Sequence, residues 1–131
     1  MPATLAVQGE ALSPAVRELF ARLAAAGSLA AAPGTVVLRG EAGQPSGEVW
    51  VRLHLRVHAD TVIEARFQAL GCPHTLATAS WLAMQLAGRK RSEAQPGSPH
   101  TWAQTLDVPV EKLGRLLLIE DALHAALQQW P

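Results

Sequence analysis

The chain's one cysteine, Cys72, stands between Gly71 and Pro73. A permissive backbone position thus leads into a residue that suits the first turn of a helix. At a helix N-terminus the backbone N–H groups and the dipole favour a thiolate, which can ligate a metal or accept sulfur. A small, buried, inert cysteine fits the same position equally well. His74 follows two residues later and can reach the same site. The other histidines, His54, His58, His100 and His124, form neither a zinc-protease motif nor a paired Cys/His spacing. His54 and His58 fall on one face of an apparent strand, roughly 13 Å apart by strand rise, too far to share a metal. Both are expected at the surface. No glycine-rich phosphate loop and no nucleophile elbow is present, and no enzyme activity is expected.

The elements that must position these residues are legible from spacing. Ser13 can cap a helix with Pro14 in its first turn, and Val16, Leu19, Phe20 and Leu23 follow at helical spacing, with Gly27 as the stop. Residues 35–38 read as a short strand. From Val49 the pattern has strict period two. Val49, Val51, Leu53, Leu55 and Val57 alternate with Trp50, Arg52, His54, Arg56 and His58. That predicts a strand with one buried face and one face of arginine and histidine turned to water. Ala59 and Asp60 make a tight connection to a second strand over 61–70, with Ile63, Ala65 and Phe67 sharing a face. Strands joined so closely must be antiparallel.

A helix of small residues then runs from His74 to Ala87, carrying Leu76, Leu82, Met84 and Leu86. Gly88 closes it, and Arg89, Lys90 and Arg91 suit its C-terminus. Residues 95–100 form a loop and 102–106 a short helix. Asp107 is expected to cap the last helix, whose stripe is Leu113, Leu116, Leu117, Glu120, Leu123 and Leu127. The order predicts an α+β fold: a small antiparallel sheet of about three strands, with helices on one face.

Composition bounds the rest. At 131 residues the chain reads as a single domain, 1–131, long enough to bury a core. With 49% hydrophobic and 17% charged residues it is globular. A net charge of +0 argues against nucleic acid as the main partner. No apolar run is long enough to span a membrane. Residues 1–8 lack the basic and long apolar stretches of an export signal, and one cysteine makes no internal disulfide. A cytoplasmic location is therefore expected.

Residues 63–80, centred on Leu70-Gly71-Cys72-Pro73-His74, resemble the central motif of the iron–sulfur cluster scaffolds: the IscU proteins and the N-terminal domain of NifU. Two further segments agree. Gln44-Pro45-Ser46-Gly47-Glu48-Val49 is similar to the family's Pro-Ala-Cys-Gly-Asp-Val. Val108-Pro109-Val110-Glu111-Lys112-Leu113, followed by Ile119-Glu120-Asp121-Ala122, is similar to its Leu-Pro-Pro-Val-Lys-Leu and Ala-Glu-Asp-Ala segments. The resemblance implies an IscU/SufE-like fold, with a cysteine desulfurase and a co-chaperone as partners and an iron–sulfur cluster or a zinc as the bound group.

The resemblance also implies a ligand set of three cysteines plus an aspartate or histidine, and here the chain departs from it. Ser46 stands at the first cysteine position, Glu48 at the aspartate, Gly114 at the histidine and Arg115 at the third cysteine. Cys72 and Glu48 remain as a vestigial metal site, with Ser46, His74, Gly114 and Arg115 beside it. One thiolate and one carboxylate are too few for a cluster, which usually takes four thiolates. No cofactor is expected on one chain; a homo-oligomer would bring two Cys72 thiolates together. In the chaperone-recognition segment Pro109 and Lys112 match, while Val110 and Glu111 do not. The expected role is an accessory or degenerate scaffold in cluster assembly. The alternatives are a SufE-like sulfur acceptor using Cys72, or a metal-free interaction protein. Two placements of Arg115 stay open: pointing to solvent along the last helix, or pairing with Glu48 near Cys72, where it would supply the missing positive charge.

Overall fold

The computed structural model describes residues 11–131; residues 1–8, read above for an export signal, lie outside them. Ser13 starts helix α1 (Pro14–Ala21): its hydroxyl accepts from the Val16 N–H at 3.1 Å and donates to the Leu106 carbonyl at 2.6 Å. The helix stops at Ala21, well before Gly27. Three strands follow: β1 (Val36–Gly43), β2 (Trp50–His58) and β3 (Thr61–Leu70), forming one antiparallel sheet in that order. β1 runs further than the expected 35–38. Its last residues pair with Trp50, Val51 and Arg52, partners that no local pattern reveals.

Val51, Leu53, Leu55 and Val57 are all buried on the inner face, as the alternation predicts, whereas Val49, expected in the same set, precedes the strand on the loop and is only half-buried. Each such side chain contributes about 1.5–3 kcal/mol on leaving water. β3 departs from the expected face at one residue. The register shifts where Arg56 pairs with Glu64 but Val57 pairs with Val62, leaving Ile63 as the extra residue of a bulge. Ile63 is therefore turned out at 50% exposure, and Val62 replaces it beside Ala65 and Phe67 in the core.

Helix α2 (Pro73–Leu86) lies on the inner face of the sheet. It buries Leu82 and Leu86 together with Ala77, Ala79, Ser80 and Ala83, whose small side chains allow close packing on several sides at once. Arg89 closes it by donating from Nε to the Gln85 carbonyl at 2.7 Å. Met84 is half exposed, because it lines a shallow groove between α1 and α2 with Leu19 and Trp81. Helix α3 (Pro99–Leu106) opens on a reciprocal cap between Ser98 and Thr101. Asp107 does not cap the last helix. It ends α3 in the left-handed conformation, φ 56°, and a single turn, Val110–Lys112, leads into α4 (Leu113–Leu127). α4 buries Leu116, Ile119, Ala122, Leu123 and Ala126 against the sheet, while Leu117, expected in the stripe, is half exposed.

The outer face of the sheet is not simply solvated. Residues 24–34, between α1 and β1, run across it and hydrogen-bond to its side chains. Arg52 and Arg56 keep the predicted outward register, with side chains 35% and 20% exposed, but His54 beneath this segment is only 3% exposed. Among the described residues no helix is long and apolar enough to cross a membrane.

Candidate functional site

The strand end, the helix start and the turn before α4 converge around one sulfur. Cys72 is half-buried and occupies the N-cap position of α2, with extended backbone, while Pro73 takes the first helical position. Its carbonyl accepts from the Thr75 N–H at 2.9 Å. Thr75 is fully buried, and its hydroxyl lies 3.6 Å from the Cys72 sulfur, its hydrogen-bond partner among the described residues. Gly71 permits this arrangement: a Cβ there would lie 2.9 Å from both Cβ and Oγ1 of Thr75.

Burial pushes the Cys72 thiol up, but the other influences outweigh it. The backbone and hydroxyl of Thr75, the backbone N–H of His74 and the positive charge of Lys112 together hold the thiol below its ordinary value. The site therefore eases ionisation of the thiol. The Thr75 hydroxyl and the Cys72 sulfur can each donate to the other while the thiol is protonated, and once the thiol is ionised the hydroxyl is the donor. Replacing Thr75 by valine keeps the shape and removes that donor. The pH profile of Cys72 alkylation is expected to move to higher pH, with a rate at neutral pH on the order of three- to tenfold lower, and Thr75→Ser should restore it. An unchanged profile would show that the hydroxyl does not act on the sulfur.

The remaining predicted residues are placed as follows. Ser46 and Glu48 are exposed on the loop 44–49 that joins β1 to β2. Gly114 and Arg115 lie in the first turn of α4 and line a shallow groove with Val49, Glu111, Lys112 and Leu118. Pro109 is half-buried at the start of the turn that carries Lys112. His74 is 1% exposed in the first turn of α2, and its backbone acts on Cys72.

Of the two placements open to Arg115, the ion pair with Glu48 is not formed. Among the described residues the ion pairs are Arg52–Glu41, Arg56–Glu64 and Arg66–Glu64. The cation whose field reaches the sulfur is Lys112, three residues earlier. The difference follows from the turn Val110–Lys112, which swings Lys112 to the mouth of the site before α4 begins. Thr75 was not singled out from the sequence. Its position three residues after an N-cap, where capping partners recur, is the signal that marks it.

Among the described residues no three His, Cys, Asp or Glu side chains converge as a metal site. The donors present, one half-buried thiolate and an exposed carboxylate on a neighbouring loop, do not fit a cluster.

Comparison with known proteins agrees with this architecture. The NifU-like N-terminal domain matches residues 12–131. The chain is 30% identical over 92 residues to the iron–sulfur cluster assembly scaffold protein IscU of Escherichia coli (strain K12), covering 70% of this chain and 72% of that protein. It is 31% identical over 101 residues to the nitrogen fixation protein NifU of Nostoc sp., covering 75% of this chain and 34% of that longer protein. Among solved structures, the N-terminal part of a nitrogen-fixing NifU-like protein from Brucella abortus superposes with a TM-score of 0.64. It has 17% identity and covers 89% of this chain and 92% of that one, which speaks for the fold. The chain thus belongs to the NifU-like N-terminal domain family, as an IscU/NifU-type member that carries a single cysteine.

Proposed function

We propose that the chain serves iron–sulfur cluster assembly as an accessory scaffold-type protein that engages the assembly machinery without holding a cluster on one chain. The observation that carries this is the donor set around Cys72: a thiol backed by Thr75 and Lys112, with Ser46, Gly114 and Arg115 at positions that the family resemblance implies for ligands. Support for the assembly role comes from kinship with scaffolds of that name. A cysteine desulfurase and a co-chaperone are the partners this role requires, and a reducing cytoplasm is the compartment in which the thiol stays free. The role is binding, not catalysis. Dialysis against Zn²⁺ tests the reading independently of iron chemistry. Well under one zinc per chain should remain, whereas stoichiometric zinc that Cys72→Ser abolishes would overturn it.

The eased ionisation supports one further possibility at the same residue. As a nucleophile, Cys72 can attack the terminal sulfur of a desulfurase persulfide. The new S–S bond forms on Cys72, the old one breaks, and the desulfurase cysteine leaves as a thiolate, so no outside oxidant is needed. Incubation with a desulfurase and cysteine should then add the mass of one sulfur to the wild-type chain and none to Cys72→Ser. Failure to see that adduct would remove the sulfur-acceptor role and leave the accessory binding role standing.

A further inference from the structure

Far from Cys72, the outer face of the sheet carries a second cluster of ionisable side chains that the assembly role does not use. The strand register arranges them as a grid. In the middle row Arg39, His54 and Arg66 lie directly opposite one another on β1, β2 and β3. The row on one side is Glu41, Arg52 and Gln68, and the row on the other is Val37, Arg56 and Glu64. Directly opposite partners share a face, as do residues two apart along a strand. His54 therefore has an arginine on each of its four nearest sides, Arg39, Arg66, Arg52 and Arg56, and carboxylates only at two diagonals, Glu41 and Glu64.

Those carboxylates are already engaged: Glu41 with Arg52 at 2.7 Å, and Glu64 with Arg56 at 2.7 Å and Arg66 at 2.8 Å. His54 is 3% exposed. Its Nε2 hydrogen-bonds the Gln68 side chain at 3.0 Å, and its Nδ1 is buried with no hydrogen-bond partner.

The same arginines hold a strap. Arg66 donates to the Ala24 carbonyl at 3.3 Å, Arg39 to that of Leu29 at 3.1 Å and Arg56 to that of Ala30 at 2.8 Å. His58, at the end of β2, contacts the Gly34 carbonyl through Nδ1 at 2.7 Å. At the β3 edge Phe67 exchanges backbone bonds with Ala25 and Gly27, at 2.9 and 2.8 Å. Residues 24–34 contain no ionisable side chain, so nothing from the strap offsets charge at His54.

We propose that His54 is a pH-sensitive latch for this strap: neutral, it lets the surrounding arginines clamp residues 24–34 to the sheet, and protonated, it drives the strap open. A fifth positive charge at the centre of the grid would be desolvated and would face four guanidiniums at cross-strand and next-but-one spacing. No carboxylate on β1, β2, β3 or the strap is free to meet it. Lifting the strap admits water, which solvates the ring and screens the arginines.

The direction of the pH effect follows. Burial, and next the charges of Arg39 and Arg52 working against the Gln68 hydrogen bond, hold His54 below its ordinary value in the closed form. The closed strap is thus fully favoured above the ordinary histidine range, about pH 6.5. It loses that advantage as the pH falls toward the lowered value.

Amide hydrogen exchange on the full chain tests the latch. The readout is the opening constant of the Gly27 N–H, corrected for intrinsic exchange, with the amides of Leu55 and Leu123 as the global reference. Between pH 7 and 5 the wild-type constant should rise by up to about tenfold per pH unit below about 6.5, while the reference amides change little. His54→Gln should flatten that dependence. An NMR titration of the wild-type ring provides a test that needs no variant: ring protonation and the chemical shifts of residues 24–34 should move with one midpoint. A His54 ring that titrates while the Gly27 amide stays protected, or strap opening that persists unchanged in His54→Gln, would overturn the proposal.

Discussion

Replacing Ser46 and Arg115 by cysteine and Gly114 by histidine is expected to raise cluster uptake from well under one per chain to about one. The three substitutions place thiolates and an imidazole at the positions that the family resemblance implies for ligands. They raise the soft donors around Cys72 to the number a cluster takes. Nothing steric opposes them. Ser46 is on an exposed loop, Arg115 gives way to a smaller side chain on the rim of a groove, and a Cβ on Gly114 meets nothing within 4 Å. Anaerobic reconstitution followed by iron and sulfide analysis should give roughly one cluster per chain for the triple variant. A folded triple variant that still takes up no iron would show that these positions do not form a ligand set in this chain.

The second large effect concerns the fold that positions the site. Gly40 lies mid-strand in β1, opposite Leu53, and α4 crosses directly over it. A Cβ at Gly40 would overlap the Ala122 carbonyl oxygen and the Ala126 nitrogen, and would lie 2.8 Å from the Ala126 Cα. All three are backbone atoms, so no flexible side-chain end can yield. Gly40→Ala is expected to destabilise by about 3 kcal/mol or more, at the upper end of overpacking costs. The same substitution at Gly114, in open space at the start of α4, should be neutral or stabilise by up to about 1 kcal/mol. Urea denaturation of both variants checks the contrast. Equal and small effects would mean that α4 does not seat on β1 as closely as the structure has it.

The sequence reveals most readily what is local and periodic. The alternation from Val51 to Val57 fixes the buried face of β2, and the turn at Ala59 and Asp60 fixes its antiparallel neighbour. The sequence did not reveal what depends on distant partners. Ile63 and Val62 exchange faces because a bulge inserts one residue, and both are β-branched and apolar, so composition alone cannot place it. His54 reads as a surface residue because its neighbours Arg52 and Arg56 are polar. It is buried because residues 24–34 return across the sheet, held by hydrogen bonds to carbonyls, which carry no side-chain signature. Similarly, the Gly71-Cys72-Pro73 sequence marks the thiol and its helix start. Choosing Lys112 over Arg115 as its cation requires the turn before α4, whose length spacing does not give.

The claim that one chain does not hold a cluster is tested most directly by anaerobic reconstitution of the unaltered protein with iron, sulfide and reductant, followed by desalting and visible spectroscopy. The donor set around Cys72 predicts no sulfur-to-iron charge-transfer absorption above that of a Cys72→Ser control. Strong absorption that survives desalting, scales with the concentration of single chains and disappears in Cys72→Ser would contradict it.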